Sequence, residues 1–139
     1  MGQQPTVLIV SDFLENTENI QRYLLENPDF TYRILLEKSA SAGLLLCKRE
    51  QVNLILLNYS LLDSDGLEFL AQLRVLLSNN CPPVVMLGKN DAVMAVKAIK
   101  NGAEDYLVLE QLTKELLIKT VSSAIAISQQ RQNSCKPVS

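Results

Sequence analysis

The stretch "LILLNYSLLDSDG", residues 54–66, sets an apolar run against one polar residue and then an acidic, glycine-containing turn. A carboxylate at that junction, held at the end of a buried strand, would be a nucleophile able to accept a phosphoryl group. The residue there is Asn58, whose side chain has no anionic oxygen. The other groups with chemical capacity are Ser11 and Asp12 at the end of "VLIVSD", the loop residues Ser60, Asp63 and Asp65, and Lys89 after "VVMLG". The chain contains no histidine, which removes Ser-His and Cys-His nucleophile pairs, imidazole metal sites and a phosphohistidine donor. Cys47, Cys81 and Cys135 lack metal-ligand spacing and read as incidental thiols of a reducing compartment.

These residues need elements to position them. "TVLIVSD" (6–12) is a short β-branched run of the kind that forms a buried strand, and "TYRILLE" (31–37), "VNLILLN" (52–58), "VVMLG" (84–88) and "DYLVL" (105–109) repeat the pattern. Between them lie helical segments. The first covers 15–27 and stops at Pro28. The second is capped by Ser39 or Ser41, the third follows Asp65-Gly66, and the fourth runs from the cap Asp91 to Gly102. A last helix covers about 112–130, with a polar tail after it. Five strands alternating with five helices predict a parallel sheet covered on both faces. The expected fold is α/β, a single doubly wound (βα)5 domain with strand order 2-1-3-4-5. Its ligand crevice lies beyond the carboxyl ends of the strands, which puts Asp12 and Asn58 side by side.

Composition narrows the functional classes. A chain of 139 residues with 47% hydrophobic residues makes one well-cored domain. A net charge of −2 with scattered basic residues argues against nucleic-acid binding. No apolar run approaches the roughly 18 residues of a membrane span, so a cytoplasmic location is expected. The loop "SDFLENT" has no glycine, which argues against a phosphate cradle and a flavodoxin-like nucleotide or cofactor binder.

The chain resembles the receiver domain of two-component response regulators over about residues 5–128. The resemblance is carried by "VLIVSD", "LILLNYSLLDSDGLEFL", "AIKNGAEDYL" and "LTKELL", which occur in the family's order. It implies a receiver-like domain at 6–130, an N-terminal tail at 1–5, and a polar tail or start of a linker at 131–139. It also implies named roles. An aspartate after strand 3 takes a phosphoryl group from a phosphohistidine. Acidic residues after strand 1 help to hold magnesium. A Thr or Ser after strand 4 and a Lys-Pro pair after strand 5 engage the phosphoryl oxygens.

Carried over residue by residue, only Asp12 matches an acid of the family. Ser11 replaces the first acid and Asn58 the phosphoacceptor. Gly88 replaces the hydroxyl residue, and Lys89 follows where a small residue is usual. Leu109 replaces the lysine and Glu110 the proline. The joint loss of these groups predicts a degenerate, phosphorylation-independent receiver that is not an enzyme. Two unit charges about 4 Å apart interact by about 4 kcal/mol at an effective dielectric of 20, so losing two of three carboxylates leaves magnesium binding weak or absent. The candidate metal groups are Asp12, Asn58 and the Ser60 carbonyl, with Asp63 and Asp65 assigned to a solvated loop and a helix cap. The alternative is a functional receiver with Asp12, Asp63 or Ser60 as acceptor. With Glu110 in place of the proline, the 109–110 bond is expected to be trans.

Tyr106 matches the family's aromatic switch position. It is either packed at the edge of strand 5 or a working switch, and the space left by Gly88 could hold its ring inward permanently. In the last helix Leu117, Val121, Ala124 and Ile125 form the core stripe, while Leu116 and Ile127 lie well round from it, beside Leu112. The expected interface is the helix 4–strand 5–helix 5 face, including Leu116, Ile127 or Tyr106. Its expected occupants are a second copy or a signalling partner, such as a fused or separate histidine kinase or output domain.

Overall fold

The computed structural model describes residues 4–134 of the chain. Thr6–Val10 (β1), Leu54–Asn58 (β3) and Val84–Gly88 (β4) are buried at every position, as the unbroken apolar runs require of central parallel strands. Arg33–Glu37 (β2) and Asp105–Val108 (β5) are the more exposed edges. The strands form one parallel sheet in the order β2-β1-β3-β4-β5. Five helices complete the alternation: Leu14–Leu25 (α1), Ala40–Arg49 (α2), Gly66–Leu77 (α3), Ala92–Lys100 (α4) and Lys114–Ser134 (α5).

Two cores result, one on each face. Val7, Ile9, Leu54, Leu56, Val85 and Leu87 point to α1 and α5, where they meet Ile20, Leu24, Leu117, Val121, Ala124 and Ile125. Leu8, Val10, Ile55, Leu57, Val84 and Met86 point to the other side and pack with Cys47, Phe69, Leu70, Leu73 and Ala98. The expected stripe on the last helix is therefore buried, at 0–5% exposure.

Several boundaries differ from expectation. β2 and β3 each start two residues later than the sequence pattern suggests, at Arg33 and Leu54. Tyr32 is instead a core residue whose hydroxyl accepts from the Asn27 amide at 2.7 Å. β5 ends at Val108, and Leu109–Gln111 forms a 3-10 turn. The last helix starts at Lys114 and continues to Ser134, past the expected stop at 130. Residues 129–134 hold no glycine or proline, and glutamine and arginine favour helix, so nothing in the chain ends it sooner. Pro5, assigned to the tail, is buried and its carbonyl accepts from the Arg33 amide at 2.8 Å. Residues 1–3 and 135–139, with Cys135, lie outside the described residues.

Candidate functional site

Parallel pairing brings the carboxyl ends of the strands to one edge. Val10 pairs with Leu57, Asn58 with Leu87, and Gly88 with Val108. A cleft of about 380 Å³ opens there, lined by Asp12, Asn58, Ser60, Gly88, Lys89 and Leu109, with Phe13, Asn16, Tyr59, Leu61, Leu62 and Met94 around them. The structure thus gathers most of the sequence-derived site residues in one place. Glu110 is exposed on the 3-10 turn and does not line the cleft.

Asn58 is 7% exposed, and its amide nitrogen donates to the Ser60 carbonyl at 3.2 Å. That bond uses the backbone oxygen that a cation would otherwise take. Ser11 is a turn former: its hydroxyl accepts from the Phe13 amide at 3.1 Å and its own N–H donates to the Glu37 carbonyl at 3.0 Å. Among the described residues, Asp12 is the only carboxylate lining the cleft. Among the described residues no buried side-chain nitrogen or oxygen lacks a partner, and no group of three or more potential ligands converges. A magnesium ion demands several well-placed oxygens, and one carboxylate beside an amide and an engaged carbonyl fits it poorly.

Gly88 and Tyr106 form the second feature. A Cβ on Gly88 would stand 2.9 Å from Tyr106 Cζ and closer still to its hydroxyl. The phenol fills the space of the absent side chain, and its hydroxyl donates to the Lys89 carbonyl at 2.7 Å. Burial, with smaller contributions from Asp91 and Tyr59, pushes the phenol pKa up, so the O–H remains a donor at neutral pH. The inward ring allowed for from the sequence is the arrangement found.

The acidic loop after β3 is solvent-exposed, and its carboxylates are hydrogen-bonded. Asp65 caps α3, accepting from the Glu68 amide at 2.9 Å, as its position before Gly66 predicts. Asp63 is exposed, as expected of a solvated loop, and has a second task. Its carboxylate accepts from the backbone of Ala40 at 2.9 Å and Ser41 at 3.2 Å, and from the Ser41 hydroxyl at 3.1 Å. These bonds hold its carboxyl below the usual aspartate range, the Ala40 amide contributing most. Asp63 therefore caps a helix 23 positions upstream. Further along, no cis peptide bond occurs among the described residues, so the 109–110 bond is trans.

At the β5 edge the expected interface residues are placed as follows. Leu116 is 39% exposed, while Ile127 and Tyr106 are half-buried. On α5, Lys114 reaches Glu26 of α1 at 3.4 Å and Ser122 bonds Tyr32. Leu116 and Ile127 lie on the opposite flank of the core stripe at about 100° per residue, away from α1. Sequence reasoning placed helix 4 in this face but named none of its residues, among which Val93, Val96 and Ile99 are 48–62% exposed. The signal was present: "AVMAVKAIK" is apolar nearly all round, yet a surface helix buries one stripe only. No helix among the described residues is long and apolar enough to cross a membrane.

Comparison with known proteins bears on this arrangement. A family model described as the response regulator receiver domain matches residues 7–122. The chain is 30% identical over 122 residues to the transcriptional regulatory protein AruR of Pseudomonas aeruginosa, covering 84% of this chain and 48% of that protein. It is 27% identical over 125 residues to the transcriptional regulatory protein ZraR of Klebsiella oxytoca, covering 90% of this chain and 27% of that protein. The chain thus spans between about a quarter and a half of the length of these relatives. Among solved structures, the signal receiver domain of a putative Luxo repressor protein from Vibrio parahaemolyticus superposes with a TM-score of 0.84 at 20% identity, over 97% of this chain and 100% of that one. A CheY-like receiver domain from Methanospirillum hungatei gives 0.79 at 19% identity, over 92% and 98%. At these identities the structures establish the shared fold.

Proposed function

Since the chain belongs to the response regulator receiver domain family of two-component signalling, we propose that it is a receiver module that has given up phosphoryl chemistry and works by protein–protein contact. The observation that carries this reading is the Asn58 amide, buried at the phosphoacceptor-equivalent position and bonded to the Ser60 carbonyl. An amide supplies neither a nucleophilic oxygen nor a charge for a cation. Two other strand ends support the same reading. Gly88 has no hydroxyl to offer, and Leu109 supplies no ammonium group. On this reading the module is not an enzyme and uses no magnesium.

With Tyr106 already seated over Gly88, the surface formed by α4, β5 and α5 is held in one arrangement. Its apolar groups Val93, Val96, Ile99, Leu116 and Ile127 flank an edge strand, which presents unpaired backbone groups to a partner. The partner is a second copy or a protein of the same signalling pathway, fused or separate, such as a histidine kinase or an output domain. Analytical ultracentrifugation of the wild type beside a Leu116→Glu, Ile127→Glu double variant, with and without magnesium and acetyl phosphate, tests this. At low micromolar concentration and physiological ionic strength, the expected result is association that the double variant loses and the phosphodonor leaves unchanged. Association that appears only with the phosphodonor would contradict it.

Asp12 favours one second reading, a receiver with a displaced acceptor, because among the described residues it alone brings a carboxylate to the cleft. Asp63 is a poorer acceptor, since three donors already hold its oxygens.

A further inference from the structure

Outside the β5 edge, exposed apolar surface collects between α2 and α3. Leu44 of α2 and Ala71, Gln72, Val75 and Leu76 of α3 line a shallow groove of about 370 Å³. Val75 is 85% exposed, and Leu45, on the outer side of α2, is 53% exposed. Apart from Leu44, which packs partly against the core, these residues are not among those the two helices bury. α2 buries Ala40, Gly43 and Cys47, and α3 buries Gly66, Phe69, Leu70 and Leu73. At about 100° per residue, Leu45, Ala71 and Val75 fall on the sides facing away from the sheet, where a solvated helix carries polar groups.

The charges at the two ends of the groove differ in sign. Parallel strands with helical crossovers make α2 and α3 run in the same direction. The Asp63 carboxylate on the Ala40 amide sets the start of α2 beside the loop that opens α3. Glu68, in the first turn of α3, therefore stands at one end, and Lys48 and Arg49, in the last turn of α2, stand at the other. A surface with an acid at one end, bases at the other and apolar groups between is complementary to itself after a half-turn. That is the requirement for an isologous two-fold contact.

We propose that this groove receives a second copy of the chain, the two α2–α3 pairs lying antiparallel. Val75 and Leu45 meet at the centre, and Glu68 of each copy faces Lys48 of the other. Two helices of about 15–18 Å, each roughly 10 Å across, offer a footprint well below the roughly 800 Å² per partner of a standard interface. The contact is therefore weak, strengthened at low ionic strength, and distinct from the β5 edge.

The test is sedimentation equilibrium of the whole chain at low salt, from about 10 μM to about 1 mM, a range that brackets such an affinity. It is run in the Leu116→Glu, Ile127→Glu background so that the β5 edge cannot contribute. Concentration-dependent dimers are expected there. Val75→Glu should weaken them at least tenfold. Lys48→Glu and Glu68→Lys should each weaken them, and the Lys48→Glu, Glu68→Lys double reversal should regain the background affinity. All three positions are exposed, and circular dichroism melts confirm that each variant is folded. A background protein that stays monomeric at 1 mM, a Val75→Glu variant that dimerises unchanged, or a double reversal no better than the singles would overturn the proposal. None of these outcomes bears on the β5 edge, which the unmodified Leu116 and Ile127 report separately.

Discussion

The Tyr106 hydroxyl donates to the Lys89 carbonyl at 2.7 Å, with its ring in the volume that a side chain on Gly88 would occupy. Two residues on neighbouring strands therefore exclude each other's alternatives. Gly88 permits the ring to sit there, and the ring leaves no room for a larger residue 88. The bond is solvent-exposed and is worth at most about 0.5–1.5 kcal/mol. Tyr106→Phe should lower stability by about that amount and keep the ring in place. Gly88→Thr should cost about 1–3 kcal/mol and drive the ring outward. Urea denaturation and the aromatic NMR signals of Tyr106 check both. A Gly88→Thr protein as stable as the wild type, with those signals unmoved, would contradict the packing described.

Asn58→Asp should destabilise the fold at neutral pH even though it restores the family's residue. The change removes the donor to the Ser60 carbonyl and buries a carboxylate against it, a cost of about 1–3 kcal/mol. Burial raises the folded-state pKa of the new carboxyl. Its relative stability is then greatest below the unfolded value of about 3.9 and is lost as pH rises through the folded value. The gap between variant and wild type should accordingly narrow as the solution is acidified from pH 7 towards pH 4. Thermal melts across that range measure it, and a gap that widens on acidification would reverse the assignment.

Asp63 gives the opposite sign. Its folded-state pKa is lowered by the Ala40 and Ser41 donors. The stability it contributes is present above the unfolded carboxylate value and is lost as pH falls through the folded one. Asp63→Ala should remove that acid dependence and speed hydrogen exchange at the Ala40 and Ser41 amides at neutral pH. Unchanged exchange at Ala40 would show that the cap is not formed in solution.

The sequence was most legible where one physical signal acts locally. The apolar runs of β1, β3 and β4 have a single reading, and the caps Asp65 and Asp91 sit next to the helices they serve. Their order, read with the handedness of crossovers, is enough to place Asp12 and Asn58 in one crevice. What stayed hidden depends on contacts between distant segments. Asp63 looks solvated until α2 is packed beside its loop. Leu109 continues an apolar run but falls in a 3-10 turn, because the neighbouring β4 ends at Gly88, the partner of Val108, and leaves Leu109 no ladder to join. The exposure of Val75 and Val96 follows from how each helix is rotated on the sheet, which periodicity in a mostly apolar helix does not decide.

The central claim is that this site cannot hold a phosphoryl group. Intact-protein mass spectrometry decides it, after incubation of the wild type and Asn58→Asp with magnesium and either acetyl phosphate or a phosphorylated histidine-kinase domain. The wild type should show no added mass. The Asn58→Asp variant should show at most a small modified fraction, because Gly88 and Leu109 leave the phosphoryl oxygens without the partners that supply most of the electrostatic stabilisation. A stable gain of one phosphoryl group on an acidic residue of the wild type, at Asp12 or elsewhere, would contradict the account.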